Sequence, residues 1–291
     1  MAVADILART KTILYGQGLG EKPALRTCAA DAAESISGDV LSFNVASGEG
    51  ASIKPGDVLA TAGQAEANAH VLYVLTVSTD ALTAYNGYLG SPVVADTNLD
   101  GVIVEQNPLT TDHEVYEAID TIFANMLWPH IWDETDATIS APDLVDGQEA
   151  IAAAAEKIIS AHQVIGPTIH NIDFTPHVTN LSSSLKTNSK MATFRWINGT
   201  TGYYRYKEKF AEADEAGDEL TRLVATGAAA FCLGGALTEA TLESTKKDNS
   251  EAVSQRQAVG SSLWRDFLTL RQNMSEEQWK RQPDEIIVLR N

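Results

Sequence analysis

The sequence is short of cysteine, of basic residues and of long apolar runs. Its two cysteines, Cys28 and Cys232, are about two hundred positions apart, which excludes a disulfide framework and a close cysteine pair for a metal. No apolar run approaches the roughly 18 residues that a membrane-spanning helix needs. The first residues lack the basic start and apolar core of a signal peptide, so we expect a chain made in the cytoplasm and kept reduced there.

Positive charge is scarce mainly in one half of the chain. Residues 1–150 hold 22 acidic and 5 basic residues, whereas residues 151–291 hold 17 and 16, within a total net charge of −18. Residues 111–150 hold ten acidic residues and no lysine or arginine. Such a segment repels polyanions, because nucleic-acid affinity comes from basic groups that neutralise phosphates. The charge distribution therefore excludes tight nucleic-acid binding there.

The rest of the composition is that of an ordinary globular protein. Apolar residues make up 44% and aromatic residues 7% of the 291 positions, which is enough to bury a large core. A length near 300 exceeds what one compact core usually holds. The pattern along the chain predicts an N-terminal segment 1–38, a β-rich module 39–106 and an α+β core 107–291 that ends in helices and a tail.

Strand patterns fill the β-rich module. Runs of apolar and β-branched residues at 40–45, 58–60, 71–77 and 81–85 are each bounded by Gly, Pro, Asp or Ser. Strands this closely spaced predict a small β-barrel or a sandwich over about 39–104, and the two forms remain alternatives.

Helical patterns mark three places in the rest of the chain. Thr111 and the acidic residues after it are typical of a helix start, and apolar residues at three- and four-residue steps predict a helix over 114–126. Two long helices are predicted at 214–237 and 252–272. The first of these places Phe231 on its packed face.

A second strand region is predicted between the first helix and the last two. Apolar alternation recurs within 137–210, and Asn198-Gly199 is a dipeptide typical of a hairpin between the last two strands. The tail 285–290 has strand composition without a turn partner. The predicted fold class is therefore α+β: a β-barrel or sandwich module joined to a mixed core with a helix, a β-sheet region and long C-terminal helices.

One segment matches a calcium-loop pattern. Asp96, Asn98 and Asp100 occupy the first, third and fifth positions, and Gly101 the sixth, but Asn107 stands where the pattern has glutamate. An Asp/Asn/Gly-rich turn between strands produces the same pattern. We favour the turn, and whether Asp96, Asn98 and Asp100 bind calcium is left open.

No other pattern indicates chemistry. The sequence has no phosphate-binding loop, no nucleophile elbow and no HExxH helix. Its histidines lack the close spacing of a zinc site. They are His70, His113, His130, His162, His170 and His177. We therefore expect a protein without catalytic, cofactor or metal sites, and not an enzyme.

With this order of elements in view, the chain resembles the head-to-tail adaptor (connector) proteins of tailed bacteriophages. The resemblance runs from about Pro108 to Gln278 and lies in the order of the elements and in their residue composition. Its pieces are Pro108-Leu109-Thr110 before the helix 114–126, the tail 127–132, the strands ending in Tyr203-Tyr204-Arg205-Tyr206-Lys207, the Ala-rich helix around 226–231 and the final polar helix 255–270. The β-rich segment 39–104 is additional to the simplest adaptors.

The resemblance implies a structural virion protein of the neck. About twelve copies would form a ring below the portal, extend the DNA channel and provide a platform for the next neck or tail protein. DNA would pass through without specific binding, because the acids of 111–150 would face the lumen or solvent. Aromatics around Trp128 and Trp132, and the tail 285–290, are candidate contacts with neighbouring copies or with the portal. We favour the simpler interpretations, core packing for the aromatics and a frayed end for the tail.

A different class of function remains open beside the adaptor. A β-rich surface-binding module, such as a receptor or carbohydrate binder of a tail, would place Trp and Tyr side chains on an exposed groove. No membrane partner is expected in either case.

Overall fold

The computed structural model shows an α+β protein, as predicted, that divides into two compact units. Unit 1 comprises residues 1–126 and 212–277, and unit 2 comprises residues 127–211 and 278–291. The structure describes residues 3–19, 22–29, 35–88, 92–94, 99–139, 148–152, 154–165, 168–180, 188–194, 202–210, 217–234 and 251–281.

The described elements are four helices and fourteen strands. The helices are α1 (Val3–Gly16), α2 (Asp112–Thr121), α3 (Asp218–Cys232) and α4 (Glu251–Arg281), and α2 continues as a π-helical turn, Ile122–Met126. The strands of unit 1 are β1 (Ala24–Thr27), β2 (Ser35–Ser37), β3 (Val40–Asn44), β4 (Val58–Thr61), β5 (Val71–Ser78), β6 (Ala81–Tyr85) and β7 (Ile103–Gln106). The strands of unit 2 are β8 (Asp133–Ile139), β9 (Gln148–Ala150), β10 (Lys157–Ile165), β11 (Thr168–Asn171), β12 (Phe174–Asn180), β13 (Asn188–Phe194) and β14 (Gly202–Glu208).

The strands of unit 1 form one curled antiparallel sheet in the order β1-β7-β4-β5-β6-β3-β2. A single bridge between Cys28 and Val45 ties the end of β1 to the end of β3, with hydrogen bonds from the Ala46 N–H to the Thr27 carbonyl (2.7 Å) and from the Ala29 N–H to the Asn44 carbonyl (2.9 Å). The sheet is therefore curled but is not a closed barrel. β1 and β2 precede residue 39, so the sheet begins earlier than the segment 39–104 expected for it.

Alternation of side chains explains the inside of the curled sheet. In β5 the first part of the strand is buried on both faces, and the second part alternates between buried and exposed positions. Leu41, Leu59, Leu72, Ala84 and Val104 are fully buried in the resulting core. The predicted strands at 40–45, 58–60, 71–77 and 81–85 are thereby confirmed.

The helices of unit 1 pack on one another although β strands separate them in sequence. α1 and α2 both contact α3. Gly227 of α3 lies where a Cβ atom would be 2.7 Å from the ring of Phe267 of α4, so α3 and α4 approach closely. The Arg271 guanidinium donates to the Met126 carbonyl (2.8 Å), which joins α4 to the π-helical turn.

The structure tests two details of the predicted helices. Thr111 and Glu114 form a reciprocal capping box, which fixes the start of α2 as the sequence predicted. The placement of Phe231 was wrong: its side chain is 38% exposed. It lies in the last turn of α3, which ends at Cys232. Leu233 caps the helix, and Gly234 after it has a φ of +73°.

Unit 2 consists of two antiparallel sheets that share one core. Their orders are β11-β10-β14-β8 and β12-β13-β9. Buried residues of both sheets meet in this core, among them Ile139, Ala161, Phe194 and Tyr204. The second strand region is thus confirmed.

The predicted hairpin between the last two strands of this region was wrong. β13 pairs with β12 and β9, whereas β14 pairs with β10 and β8, so the two strands belong to different sheets. The dipeptide Asn198-Gly199 itself and the tail 285–290 lie outside the described residues.

Candidate functional site

Trp132, a candidate interface residue for which we favoured core packing, is buried in unit 2. Only 2% of its surface is exposed. The Lys207 ammonium lies 3.5 Å from the centre of its ring and 4.4 Å from that of Trp279, and the two indoles meet edge to face at 5.3 Å. Core packing is therefore confirmed for Trp132, because the aromatic segment packs around a buried lysine. Trp128 is half-buried.

Polar groups fix Trp132 in this cluster. The Gln278 side-chain amide donates to the Trp132 carbonyl (2.9 Å), and the Trp132 indole N–H donates to Glu134 (3.1 Å). Two aromatic faces around an ammonium form the kind of cage that binds quaternary ammonium ligands. Here the chain's own Lys207 occupies that place, so the cluster stabilises unit 2 and presents no site for a ligand.

Unit 1 contains a buried ionic triad of one lysine and two carboxylates. The Lys11 ammonium is 2.7 Å from Glu105 Oε2 and also contacts the carboxylate of Asp112. The side chains of Lys11, Glu105 and Asp112 are 14%, 9% and 1% exposed. The N–H of Gly63 donates to the other oxygen of Asp112 (2.8 Å). The triad therefore joins α1, β7, the start of α2 and the loop after β4.

The triad alters the acidity of the groups around it. Burial raises the pKa of Glu105, the hydrogen bond and charge of Lys11 offset part of that rise, and Asp112 adds to it. Burial, and then the charges of Glu105 and Asp112, raise the pKa of Tyr15 to about 12. Tyr15 therefore keeps its proton at neutral pH.

An open groove of about 460 Å³, hereafter the Lys11 groove, lies against the triad. Its lining includes Lys11, Tyr15, Lys22, Pro23, Leu25 and Glu105. Leu25 is 57% exposed, although it is a large apolar side chain. Two of the five basic residues of the first 150 positions lie here. The groove thus combines apolar walls with two of the few basic residues in this half of the chain.

A second groove, of about 500 Å³, lies on α2 and α3 and is acidic. Its lining includes Glu114, Glu117, Asp120, Phe231 and Cys232. Burial, and then the charge of Glu114, raise the pKa of the Cys232 thiol to about 12, so the reactive thiolate is scarce at neutral pH. The acidic groove accordingly holds no activated nucleophile.

The acids of 111–150 differ in their exposure and in their partners. Asp112 lies in the buried triad, and Asp136 forms a two-pronged ion pair with Arg205 at 2.8 and 3.0 Å. Glu117, whose side chain is 69% exposed, faces the acidic groove. The expectation that these acids face a lumen or solvent is therefore wrong for Asp112, because burial beside Lys11 takes it out of water. Asp143 and Asp146 lie outside the described residues.

Three tyrosines cluster on the outer side of the curled sheet. The ring centres of Tyr73 and Tyr85, cross-strand neighbours on β5 and β6, are 6.4 Å apart, and those of Tyr73 and Tyr88 are 5.3 Å apart. Tyr85 is 47% and Tyr88 39% exposed. This tyrosine cluster is an exposed aromatic surface.

The calcium-loop pattern lies only partly within the described residues. Asp96 and Asn98 lie outside them, and Asp100 and Gly101 form a turn before β7. Asn107, the twelfth position, accepts a hydrogen bond from the Val58 N–H (2.8 Å) and donates to Asp57 (2.9 Å). The side chain of Asn107 thus holds β4 in place, which is the role expected of a turn between strands.

The histidines with described side chains occupy separate places. His70 is buried, and His162 stacks on Tyr203 with ring centres 5.4 Å apart. Among the described residues, no group of three or more His, Cys, Asp or Glu side chains is arranged to hold a metal ion. The side chain of His177 is not described.

Little in the sequence points to the triad or to the Lys11 groove. Lys11 stands four residues after the buried Leu7 and three before the buried Leu14, so it shares their helix face. A lysine on a buried stripe is the one available signal, because Glu105 and Asp112 are about a hundred positions away.

Comparison with known proteins identifies no relative: no family model, no curated protein and no solved structure matches the chain. Within the described part of the chain, every helix is too short or too polar to cross a membrane.

Proposed function

We propose that the protein is a head-to-tail adaptor of a tailed bacteriophage, a structural component of the virion neck rather than an enzyme. About twelve copies form a ring below the portal, extend the DNA channel and provide a docking platform for the next neck or tail protein. The chain is made in the host cytoplasm and incorporated into the particle there.

The packing of the helices is the observation that carries this proposal. The resemblance rests on α2, α3 and α4, which are far apart in sequence. In unit 1 these helices contact one another, through Gly227 against Phe267 and through Arg271 on the Met126 carbonyl. The strands between them form the separate core of unit 2. A helical core with inserted strand modules suits a ring subunit, since its contacts and its platform can be different parts of the chain.

The charge supports a channel through which DNA slides. A duplex is retained by basic groups that release its counterions, and an acidic wall removes that attraction. The chain carries a net charge of −18, and the acidic groove on α2 and α3 presents Glu117 and Asp120 without a basic residue in its lining. We assign this surface to the lumen or to the solvent-facing outside of the ring.

Counting copies in purified particles tests the proposal. Quantitative mass spectrometry should give about a dozen copies of the chain per particle, measured against the major capsid protein. Hundreds of copies per particle would indicate a tube or decoration protein instead of an adaptor. Absence from particles would overturn a virion function altogether.

A second candidate function, a surface-binding module for a receptor or a carbohydrate, is favoured by the tyrosine cluster. Exposed aromatic rings stack on the apolar faces of sugars and are enriched in binding surfaces. A Tyr85→Ala, Tyr88→Ala double variant should then lose binding to cell-surface glycans immobilised on an array, whereas Ile36→Ala, another exposed residue of the sheet, should not. Equal glycan signal for all three proteins would remove this candidate.

A further inference from the structure

We infer that neighbouring copies of the chain join when the β10–β11 hairpin of one copy inserts Val164 and Ile169 into the Lys11 groove of the next. Val164 and Ile169 are hereafter the knob. This inference rests on the proposed ring and names the surfaces that would close it.

The knob is an exposed apolar pair on an edge hairpin. Val164 and Ile169 are directly opposite each other on β10 and β11, so their side chains point to the same face. They are 39% and 67% exposed. β11 is the edge strand of its sheet. Neighbouring large aliphatic side chains left in water mark a contact surface.

The knob lies in a segment of the chain that carries no formal charge. Residues 158–172 contain no Asp, Glu, Lys or Arg. Copies that each carry a net charge of −18 repel one another, so contact between them favours uncharged segments. A charge-free hairpin brings no additional negative charge to the interface.

The Lys11 groove is the matching receptor on the same chain. Its volume of about 460 Å³ exceeds that of two aliphatic side chains, and Tyr15, Pro23 and Leu25 give it apolar walls. Lys22 adds a positive charge to its lining, whereas the charge of Lys11 is already balanced by Glu105 and Asp112. The triad beneath it is already paired, so an apolar insert has no need to supply a charge.

Knob and groove are different surfaces, which makes the contact heterologous. Each copy then offers one knob and one groove, and repetition of the same contact closes a ring or extends a filament.

Variants of the full-length chain that introduce a negative charge into the knob or into the groove test the inference. The knob variant is Val164→Asp with Ile169→Asp, and the groove variant is Leu25→Asp. All three side chains are exposed, so the substitutions leave both cores intact. Thr168→Asp, exposed on the same hairpin, and Ile36→Asp, exposed on the sheet of unit 1, are matched controls. Thermal melts of every variant confirm folding.

The masses of the assemblies in solution, measured by mass photometry and light scattering, give the readout. We expect rings for the wild type and both controls, and at least tenfold weaker assembly for the knob and groove variants. A mixture of the two variants should form a complex of only two copies, because one intact knob meets one intact groove and growth then stops.

Two results would overturn the inference, and both are distinguishable from failure of the adaptor proposal. Rings that persist in both variants would place the contact elsewhere. A wild-type chain that stays monomeric would show that the knob does not bind another copy, and if that chain floats with phospholipid vesicles through its knob, the occupant is a lipid surface. The number of copies per particle decides the adaptor proposal independently of these results.

Discussion

The two units each bury a lysine, and they neutralise it in different ways. In unit 1, Lys11 lies between the carboxylates of Glu105 and Asp112. In unit 2, the ammonium of Lys207 lies against the rings of Trp132 and Trp279. A carboxylate that loses its cation is left charged in the protein interior, whereas an indole that loses its cation remains an ordinary apolar side chain. The units should therefore respond unequally when the contact is broken.

The largest effect is expected from Lys11→Met. The substitution leaves two buried carboxylates without their cation and should lower the free energy of unfolding of unit 1 by about 3–5 kcal/mol. Urea denaturation, with hydrogen exchange of α1 and β7 to assign the unit, measures the loss. Lys54→Met, at an exposed lysine of the same unit, is the control. A loss below about 1 kcal/mol would show that the triad is not a buried charge cluster.

Gly227→Val should have the next largest effect, again confined to unit 1. A Cβ atom at this position would lie 2.7 and 2.9 Å from atoms of the Phe267 ring and 3.0 Å from Ile122, so the helices must separate. Overpacking of this kind costs about 1–3 kcal/mol. Gly217→Ala is the matched control, since nothing lies within 4 Å of its added carbon. Equal melting temperatures for both variants would contradict the close packing of α3 on α4.

Trp279→Ala should have a smaller effect, and in unit 2. The variant removes one of the two rings around Lys207 and the edge-to-face contact with Trp132, which together contribute about 1–2 kcal/mol. Leu268→Ala, at an exposed position of the same helix, controls for lost apolar surface. If the loss reached that of Lys11→Met, the proposed contrast between the two units would be wrong.

The smallest effects are expected from pH, and they have opposite signs in the two units. Glu105 has a raised pKa, so its contribution to stability is complete below pH 4.5 and is lost as pH rises through the folded pKa. The hydrogen bond and charge of Arg205 lower the pKa of Asp136, whose contribution is present above pH 3.8 and lost as pH falls through the folded pKa.

Glu105→Gln should therefore make the slope of unfolding free energy against pH more positive above pH 4.5, and Asp136→Asn should reduce the loss at low pH. Unfolding of each variant from pH 3 to 7, with exchange assigned to each unit, measures both slopes. Slopes that change in the same direction would contradict the two pKa directions.

The sequence predicts elements well where side chains alternate or step regularly. β5 and β6 follow from alternation, and the start of α2 follows from Thr111 and Glu114. β1 and β2 are four and three residues long and have no regular burial pattern, so local periodicity could not reveal them. They form because the sheet supplies their partners.

The sites were harder to predict because their partners are distant in sequence. Lys11 and Glu105 are 94 positions apart. Trp132 was a candidate for an interface as well as for the core, because an aromatic segment beside Pro129 has the same composition on a surface as in a core. Its burial depends on Lys207 and Gln278, and no local pattern marks either as its partner.

The packing of α1 on α3 sets the order in which unit 1 is completed during synthesis. α1 is made first, yet its apolar side chains Ile6, Leu7 and Leu14 are buried in a helical core that includes α3, which begins at Asp218. At ribosomal rates of 5–20 residues per second, α1 waits roughly 10–40 s for that partner. The nascent chain therefore exposes an amphipathic helix for most of its translation, a period in which a chaperone that binds apolar helices would protect it.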